Sequence, residues 1–493
     1  MTFHRRAFLA GAAAVPLSTA CGHVSALARD LTWIDATETA SLIRKRQISA
    51  SEAVAAAIER TKTMQPKLNF LVTPDFERAT ARGAAPNPTP GPFAGAPILI
   101  KDLDDLEGLP TRWGSRSGAK APPASKSGPR VTAILAAGFN PIGKSATPEY
   151  GFLPTTEPLA TGPTRNPWNL ERSSGGSSGG AAAAVASGVL PLSHATDGGG
   201  SIRIPASCCG LFGLKPSRGR VMGDPNRPVA LSVSLCVSRT VRDSAAFLAS
   251  VEQSGPTAPL PPVGLVSTPS TRKLKIGFIT ADGLGHAASP EVAKAVEDTA
   301  LLLESLGHDA IPMDRWPMDA SRFTEDFLNL WAEGGREVVA AVTAQAGPGV
   351  AEKVLEPFTL ALAEAFAKLG PEALEASIGR LIASGRAYLE AFKTYDLMLT
   401  PVLDRPAVPL GWVSPDLGLE TLTERLTEYV GYTPLNNVAG NPAMSVPLAM
   451  STDGLPIGVH FAAATGQERT LLELAYQLEA ARPWKDRRPP THA

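Results

Sequence analysis

The sequence predicts an α/β fold, in which helices cover the faces of a β-sheet. Short apolar runs of strand length alternate along the chain with longer segments of helical periodicity. The 493 residues are 44% hydrophobic and 19% charged, a composition typical of a soluble chain that buries a core. Glycine and proline, with 45 residues each, exceed average usage but stay below the level of a low-complexity disordered chain.

The charge balance excludes a general electrostatic attraction to nucleic acid or to anionic lipid. The chain carries 46 Lys and Arg against 47 Asp and Glu, which gives a formal net charge of −1. The sequence contains no CxxC pair and no HExxH, the usual signs of a metal site. It therefore predicts no nucleic-acid partner and neither a metal ion nor another cofactor, and it favours a small-molecule ligand.

Residues 1–28 have the pattern of a twin-arginine export signal peptide. Arg5 and Arg6 precede an apolar stretch of about 14 residues, and Ala26-Leu27-Ala28 forms an A-x-A cleavage signal. The stretch is shorter than the roughly 20 residues that span a bilayer, so no stable membrane insertion is expected. The alternatives are a frayed N-terminal helix and a lipid anchor on Cys21. We expect an exported, periplasmic or secreted protein whose folded unit covers residues 29–493.

Elements in the first half of the chain follow from periodicity and turn residues. A helical pattern runs from Ala36 to about Gln65, with Ser51 before its apolar positions. The apolar run Pro97–Ile100 suits a strand buried on both faces, and Lys101 follows where such a strand leaves the core. Residues 131–140 predict a helix that leads into a strand at 141–143. Residues 145–176 contain five prolines and are expected to form a loop.

The second half begins with a surface connection, residues 254–271, which are rich in Pro, Gly and Ser. Ser289 before Pro290 predicts the start of a helix that reaches about Leu306. Helical periodicity then fills residues 320–395. The remaining predicted elements are strands at 274–280, 397–400, 443–448 and 456–461 and a last helix at 469–481.

Two clusters of glycine and serine, one on each side of a predicted helix and its returning strand, carry the chemistry. A helix of roughly nine residues here travels about 14 Å, and a strand of about seven residues within 189–196 returns about 23 Å. Ser177, before the helix, and Ser201, after the strand, can therefore lie at the same end of a sheet. The consecutive N–H groups of residues 198–200 can converge on one oxygen, as in an oxyanion hole.

Other interpretations of these clusters stay open. A flexible Gly/Ser loop is the plain structural one, and a phosphate-binding loop would need a lysine that GGSSGG lacks. Gly175–Gly179 also fits the GxSxG nucleophile elbow of α/β-hydrolases, with Ser177 as nucleophile. That elbow requires a strand immediately before the serine, whereas residues 166–172 are polar and contain proline.

Short motifs spread over the chain are Gly95–Asp102, Gly108–Thr111, Gly143-Lys144, Gly162–Trp168, Gly175–Gly180, Thr196–Arg203, Gly213–Pro216, Gly440–Ala443 and Gly454–Val459. Together they resemble the amidase signature family, serine hydrolases with a Ser, cis-Ser, Lys triad. The resemblance covers nearly all of residues 29–493. Details at 164–168, 204–207 and 482–484 are similar to bacterial 6-aminohexanoate cyclic dimer hydrolases and related amidases.

The resemblance implies a single large domain with a central mixed β-sheet covered by helices on both faces. It implies Ser201 as the nucleophile, Ser177 as a bridging serine after a cis peptide bond, and Lys101 as the general base. These roles agree with the chemistry, because a serine hydroxyl needs an adjacent base and burial of a lysine lowers its pKa. The oxyanion would be held by backbone N–H groups of Gly198, Gly199, Gly200 and Ser201.

Supporting and pocket residues complete the predicted site. Ser178 is expected to form a hydrogen bond within it, and Asp197 and Arg203 to form a structural ion pair. The helical region at about 310–395 would lie on the substrate side, where the family varies. Candidate pocket residues are Tyr150, Phe152, Cys236, Trp331 and Tyr432.

The sequence thus predicts an amidase that hydrolyses a linear or cyclic carboxamide through an acyl-enzyme on Ser201, as a monomer or a homodimer. Carbamates, esters and aryl acylamides are alternative substrates of the same triad. A different class of function is an exported protein that binds a small molecule. The glutamine-amidating subunit of a tRNA transamidase shares the motifs, but that work is cytosolic and the export signal argues against it.

Overall fold

The structure, a computed structural model, describes residues 31–86 and 88–493. The predicted signal peptide and Cys21 lie outside these residues. The helices are α1 (Ala36–Arg44), α2 (Ala50–Leu68), α3 (Phe76–Gly83), α4 (Pro129–Ala136), α5 (Gly179–Ala186), α6 (Arg203–Cys209), α7 (Val241–Val251), α8 (Pro290–Ser305), α9 (Phe323–Ala346), α10 (Ala351–Val354), α11 (Pro357–Leu369), α12 (Pro371–Glu390), α13 (Leu419–Tyr429), α14 (Pro434–Ala439) and α15 (Glu468–Ala481).

The strands form a large mixed sheet, a smaller sheet and a hairpin. The strands are β1 (Leu71–Pro74), β2 (Pro97–Lys101), β3 (Asn140–Ser145), β4 (Arg165–Asn166), β5 (Asn169–Ser173), β6 (Leu192–Asp197), β7 (Phe212–Lys215), β8 (Val233–Ser238), β9 (Lys275–Phe278), β10 (Asp309–Pro312), β11 (Leu397–Pro401), β12 (Ala443–Met450) and β13 (Pro456–Ala463). The eight-stranded sheet has the order β10-β9-β11-β13-β12-β7-β8-β6, the three-stranded sheet has the order β1-β3-β2, and β4 pairs with β5.

Side chains join the two larger sheets at the edge where β2 meets β6. The backbone N–H of Lys101 donates to His194 Nδ1 over 3.2 Å, and Ser193 Oγ donates to the carbonyl of Leu99 over 3.2 Å. His194 is fully buried, and this burial lowers its pKa to about 4. The ring is therefore neutral near pH 7 and can accept the Lys101 N–H, which fixes the end of β2 against β6.

The predicted α/β class is confirmed, and helices pack on both sides of the mixed sheet within one large domain. The first helical pattern is divided, however, into α1 and α2. Arg46 adopts a φ of 56° between them, and Ser49 rather than Ser51 caps α2 through a capping box with Glu52. The residue spacing alone did not show this break, because apolar positions continue on both sides of it.

The predicted helical region at 310–395 forms α9 to α12, preceded by strand β10. The loop predicted at 145–176 is largely irregular but contains the hairpin of β4 and β5. The predicted strand at 189–196 begins only at Leu192. No helix in residues 31–86 and 88–493 is long and apolar enough to cross a membrane.

Candidate active site

Lys101 is the last residue of β2, a strand whose five residues are all buried. The apolar residues before it carry the chain through the core, so its ammonium group is held inside the protein with 0% exposure. Its Nζ lies 2.7 Å from Ser177 Oγ, 3.0 Å from Thr196 Oγ1 and 3.5 Å from the Thr196 carbonyl. The amine of Lys101 thus lies within hydrogen-bond distance of two hydroxyl groups, those of Ser177 and Thr196.

Burial lowers the pKa of Lys101 from 10.5 to about 7, because a charged ammonium is poorly solvated in the protein interior. The negative charges of Asp104 and Asp197 oppose this shift without cancelling it. About half of the Lys101 side chains are then neutral at pH 7, whereas an ordinary lysine would be neutral in fewer than about one molecule in a thousand. A neutral amine can act as a base.

Ser177 lies in the loop before α5, and the peptide bond between Gly176 and Ser177 is cis, as the resemblance implies. The loop passes very close to its neighbours. A Cβ atom on Gly176 would lie 2.6 Å from the carbonyl oxygen of Thr155, so this position admits only glycine. The close packing places the Ser177 hydroxyl beside Lys101.

Ser201 follows the end of β6, where residues 198–200 lead into α6. Gly200 has a φ of 136°, and a Cβ there would lie 2.3 Å from Thr433 Oγ1. This conformation is accessible to glycine and brings Ser201 to the wall of a cavity that Ser177 also lines. The two serines predicted to meet at one end of the sheet are therefore brought together.

Asp197 and Arg203 form a fully buried ion pair, with 2.9 Å between Arg203 Nε and Asp197 Oδ2. Burial alone would raise the pKa of Asp197, but the guanidinium of Arg203 outweighs it and holds that pKa well below its ordinary value. The carboxylate also accepts the N–H of Gly200 over 2.7 Å and that of Ile202 over 3.2 Å. Through these two backbone hydrogen bonds, the ion pair holds residues 200–202 in place on either side of Ser201.

This arrangement corrects one predicted role. The N–H of Gly200 is directed at Asp197 and cannot also hold a substrate oxyanion, so its place in the predicted oxyanion hole is wrong. Gly198 and Gly199 border the two cavities that meet at Ser201. The N–H groups of Gly198, Gly199 and Ser201 stay the predicted oxyanion donors.

Ser178 and Thr196 connect the two serine loops. Ser178 Oγ donates to the Thr196 carbonyl over 3.3 Å and accepts the Thr196 N–H over 3.4 Å. Ser178 thus forms the hydrogen bonds within the site that the sequence predicts. Thr196 was not identified from the sequence, although it precedes Asp197 in the same strand and an alternating strand could have indicated that its side chain faces Lys101.

A cavity of about 90 Å³, which we call the apolar cavity, lies on one side of Ser201. The described residues around it include no charged side chain. On one wall, Phe327 stacks on Trp331 with 4.6 Å between ring centroids. Leu153, Ile204, Leu328, Leu426 and Val430 also line this cavity.

A larger cavity of about 430 Å³, which we call the polar cavity, lies on the other side of Ser201. Gly151, Phe152, Ser201 and Trp331 border both cavities. Trp331 Nε1 donates to the Phe152 carbonyl over 3.0 Å, which fixes the partition between them. The polar and charged side chains that line the polar cavity are Tyr150, Ser177, Thr196, Ser201, Arg227, Ser232, Glu333 and Glu337.

Of the candidate pocket residues, Tyr150, Phe152 and Trp331 line the cavities, but Cys236 and Tyr432 do not. Cys236 is fully buried in β8, where its thiol lies 3.5 Å from Ser244 Oγ and burial raises its pKa to about 12. Tyr432 is 1% exposed and donates its hydroxyl to the Thr280 carbonyl. Both predictions were wrong because these side chains complete the core.

The sequence interpretation missed most of the cavity wall contributed by α9. Phe323, Phe327 and Trp331 recur every four residues, and this spacing could have indicated one aromatic face of a helix. Glu333 and Glu337 have the same spacing on the face toward the polar cavity.

Within residues 31–86 and 88–493, no group of three or more His, Cys, Asp or Glu could hold a metal ion.

Known proteins are similar to this chain over most of its length. A family model described as Amidase matches residues 52–472. Putative amidase AmiC of Mycobacterium tuberculosis (strain ATCC 25618 / H37Rv) is 39% identical over 455 residues, covering 92% of this chain and 95% of that protein. The 6-aminohexanoate-cyclic-dimer hydrolase of Pseudomonas sp. (strain NK87) is 35% identical over 487 residues, covering 93% of this chain and 96% of that protein.

A solved structure of 6-aminohexanoate cyclic dimer hydrolase complexed with substrate is also similar. It superposes with a TM-score of 0.87 at 32% identity, covering 94% of this chain and all of that one, 100%.

Proposed function

The chain belongs to the amidase signature family and hydrolyses amide C–N bonds, and from that premise we propose that it cleaves a linear or cyclic carboxamide through an acyl-enzyme on Ser201. The observation that carries the proposal is the position of Lys101. Its buried amine lies 2.7 Å from the hydroxyl of Ser177, which lines the same cavity as Ser201.

In the first step, the hydroxyl oxygen of Ser201 attacks the amide carbonyl carbon. Its proton passes to Ser177, and the Ser177 proton passes to the neutral Nζ of Lys101. The carbonyl oxygen becomes an oxyanion, which the N–H groups of Gly198 and Gly199 stabilise. Each such donor typically contributes about 3–4 kcal/mol to transition-state stabilisation.

In the second step, the C–N bond breaks and the proton returns from Lys101 through Ser177 to the leaving nitrogen. Ammonia or an amine departs and leaves an ester on Ser201. Water then attacks this ester with the same base, and the carboxylic acid is released. The two steps consume one water molecule and regenerate the enzyme with Lys101 neutral.

The nucleophile-elbow alternative has less support. Strand β5 ends at Ser173, so no strand immediately precedes Ser177, and the nearest basic group to its hydroxyl is the amine of Lys101. Binding of a small molecule does not require a buried lysine whose pKa is lowered, whereas catalysis by a neutral amine does.

The proposal is tested by assaying the purified mature protein on aliphatic amides, anilides, cyclic oligoamides, carbamates and esters. We expect amine release from at least one amide, and a loss of at least about 10³-fold in kcat/KM for Ser201→Ala and for Lys101→Ala. Ser250→Ala serves as the serine control, because its hydroxyl donates to the Ala246 carbonyl within α7, and it should keep activity within about tenfold. Turnover that survives Ser201→Ala would contradict the proposal.

We also propose that residues 1–28 direct export, supported by the paired arginines and the A-x-A signal. Fractionation of expressing cells tests this proposal. The wild-type protein should be found outside the cytoplasm without its first 28 residues, and a variant with Arg5→Lys and Arg6→Lys should stay in the cytoplasm. Export that requires Cys21 instead would favour the lipid anchor.

A further inference from the structure

The two cavities that meet at Ser201 differ in size and in chemistry. The apolar cavity has about 90 Å³ and no charged side chain among the described residues around it. The polar cavity has about 430 Å³ and is lined by hydroxyl, carboxylate and guanidinium groups. When the reacting carbon of a substrate lies at Ser201, one end of the substrate therefore lies in the apolar cavity and the other end in the polar cavity.

The position of Ser177 decides which end enters which cavity, given the proposed mechanism. Ser177 must return a proton to the leaving nitrogen, so that nitrogen lies within hydrogen-bond reach of its hydroxyl. Of the two cavities, Ser177 lines the polar one, together with Thr196. Neither Ser177 nor Thr196 lines the apolar cavity, whereas the predicted oxyanion donors do not decide the direction, because Gly199 lines the apolar cavity and Gly198 the polar one. The nitrogen substituent is thus directed into the polar cavity and the acyl chain into the apolar cavity.

We propose that the substrate is an N-substituted amide of a short apolar carboxylic acid, with an amine part that is larger and polar. This inference rests on the proposed function, because it assigns the two ends through the Ser177 proton transfer. Hydrolysis of such an amide breaks the C–N bond, places a proton on the departing amine and gives the short-chain acid with one water molecule.

The size of the apolar cavity limits the acyl chain. A dry apolar cavity of about 150 Å³ holds the six carbons of benzene, so a cavity of about 90 Å³ holds roughly three or four carbon atoms. The wall is rigid, because Phe323, Phe327 and Trp331 stack in sequence along α9 and Trp331 is anchored to Phe152. A butyryl or pentanoyl group therefore fills the cavity.

The polar cavity suits an amine part that carries hydrogen-bonding groups. Glu333 and Glu337 lie one turn apart on α9 and offer acceptors, and Arg227 offers donors from the facing loop. The hydroxyl of Tyr150 is held 2.8 Å from Ser117 Oγ at the same cavity. Arg227 and Glu337 are exposed and bind water when no substrate is present, so a polar amine part gains affinity through the hydrogen bonds that it adds to them.

A pair of amides with reversed direction provides the sharpest test. One is the butyramide of 1-amino-1-deoxysorbitol, and the other is the N-propylamide of gluconic acid. Burying a methylene group is worth about fourfold, so the three carbons of the acyl chain predict a kcat/KM at least about 50-fold higher for the butyramide. An equal or reversed preference would overturn the inference.

The same measurement separates this inference from the proposed function. If neither amide of the pair is hydrolysed while other amides in the panel are, the substrate class is wrong and the amidase mechanism stands. If no amide of any kind is hydrolysed, both proposals fail.

Two matched variants locate the two ends of the substrate. Leu328→Ala enlarges the apolar cavity and should move the best acyl chain to longer acids by one or two carbons, without changing the order of preference among amines. Ile378→Ala removes a similar side chain from the polar cavity and should change the preference among amines while the best acyl chain stays the same. The opposite pattern would reverse the assignment of the cavities and overturn the inference.

Discussion

A change in pH perturbs the protonation of Lys101, and its effect on turnover can be calculated from the burial of that side chain. Burial lowers the pKa of Lys101 to about 7, so the neutral fraction is about one half at pH 7 and about 1% at pH 5. If the neutral amine is the base, kcat/KM falls about 50-fold between pH 7 and pH 5. Between pH 7 and pH 9 it rises only about twofold and then stays constant.

The assay is the initial rate of hydrolysis of an uncharged amide from pH 5 to pH 9.5, at substrate concentrations well below KM. Because the substrate does not titrate, the profile reports groups of the free enzyme. Lys215 provides a matched control, since burial also lowers its pKa to about 7 but its amine is bonded to the Pro216 carbonyl. Lys215→Met should leave the midpoint of the profile unchanged.

An ordinary lysine would give a different curve. With a pKa of 10.5, the neutral fraction would rise about 100-fold between pH 7 and pH 9. A profile that still climbs tenfold per pH unit at pH 9, or one whose midpoint moves in Lys215→Met, would refute the assignment of Lys101 as a neutral buried base.

Three further results are expected. Because the folded protein lowers the pKa of Lys101 below that of the unfolded chain, the unfolded chain binds more protons between about pH 7 and 10.5; wild-type stability rises with pH across that window. Burial of the Lys101 charge costs about 4 kcal/mol at pH 7.5 and the lost hydrogen bonds are worth about 2 kcal/mol, so Lys101→Met should be about 2 kcal/mol more stable than wild type at pH 7.5 in urea unfolding, and this gain should fall to zero near pH 9. Arg203→Met leaves the buried charge of Asp197 unpaired and should lower the free energy of unfolding by about 3–5 kcal/mol; a loss below 1 kcal/mol would show that the ion pair is dispensable. Gly200→Ala places a methyl group against Thr433 and Ile204 at a φ of 136° and should reduce kcat sharply, and a second change, Thr433→Ala, should restore part of the space and part of the activity.

The catalytic roles of Lys101, Ser177 and Ser201 were predicted from the resemblance to the amidase signature family, and local signals in the sequence agree with where these residues lie. Lys101 ends a short apolar run, and a buried strand of that kind delivers its last residue to the edge of a sheet. Ser177 and Ser201 lie beside glycines on either side of one helix and one strand, and the lengths of these elements bring the serines to the same end. Asp197 and Arg203 carry opposite charges and lie close together in the sequence, and this proximity predicted their ion pair.

The substrate cavities could not be predicted in the same way, because they are assembled from distant segments. The loop at 150–154, α9 and α13 are far apart in the chain and meet only in the folded molecule. The type of a side chain does not tell which face of its element it occupies, and for this reason Cys236 and Tyr432 were assigned to a pocket although they lie in the core. The hydrogen bond that commits the Gly200 N–H to Asp197 likewise depends on a turn that the sequence does not specify.

The covalent role of Ser201 is tested most directly by labelling the purified protein with a fluorophosphonate and mapping the modified peptide by mass spectrometry. We predict one adduct on Ser201, absent in Ser201→Ala and formed much more slowly in Lys101→Ala. Label on Ser177 that persists in Ser201→Ala, or turnover of amides by a protein that takes up no label, would contradict the acyl-enzyme on Ser201.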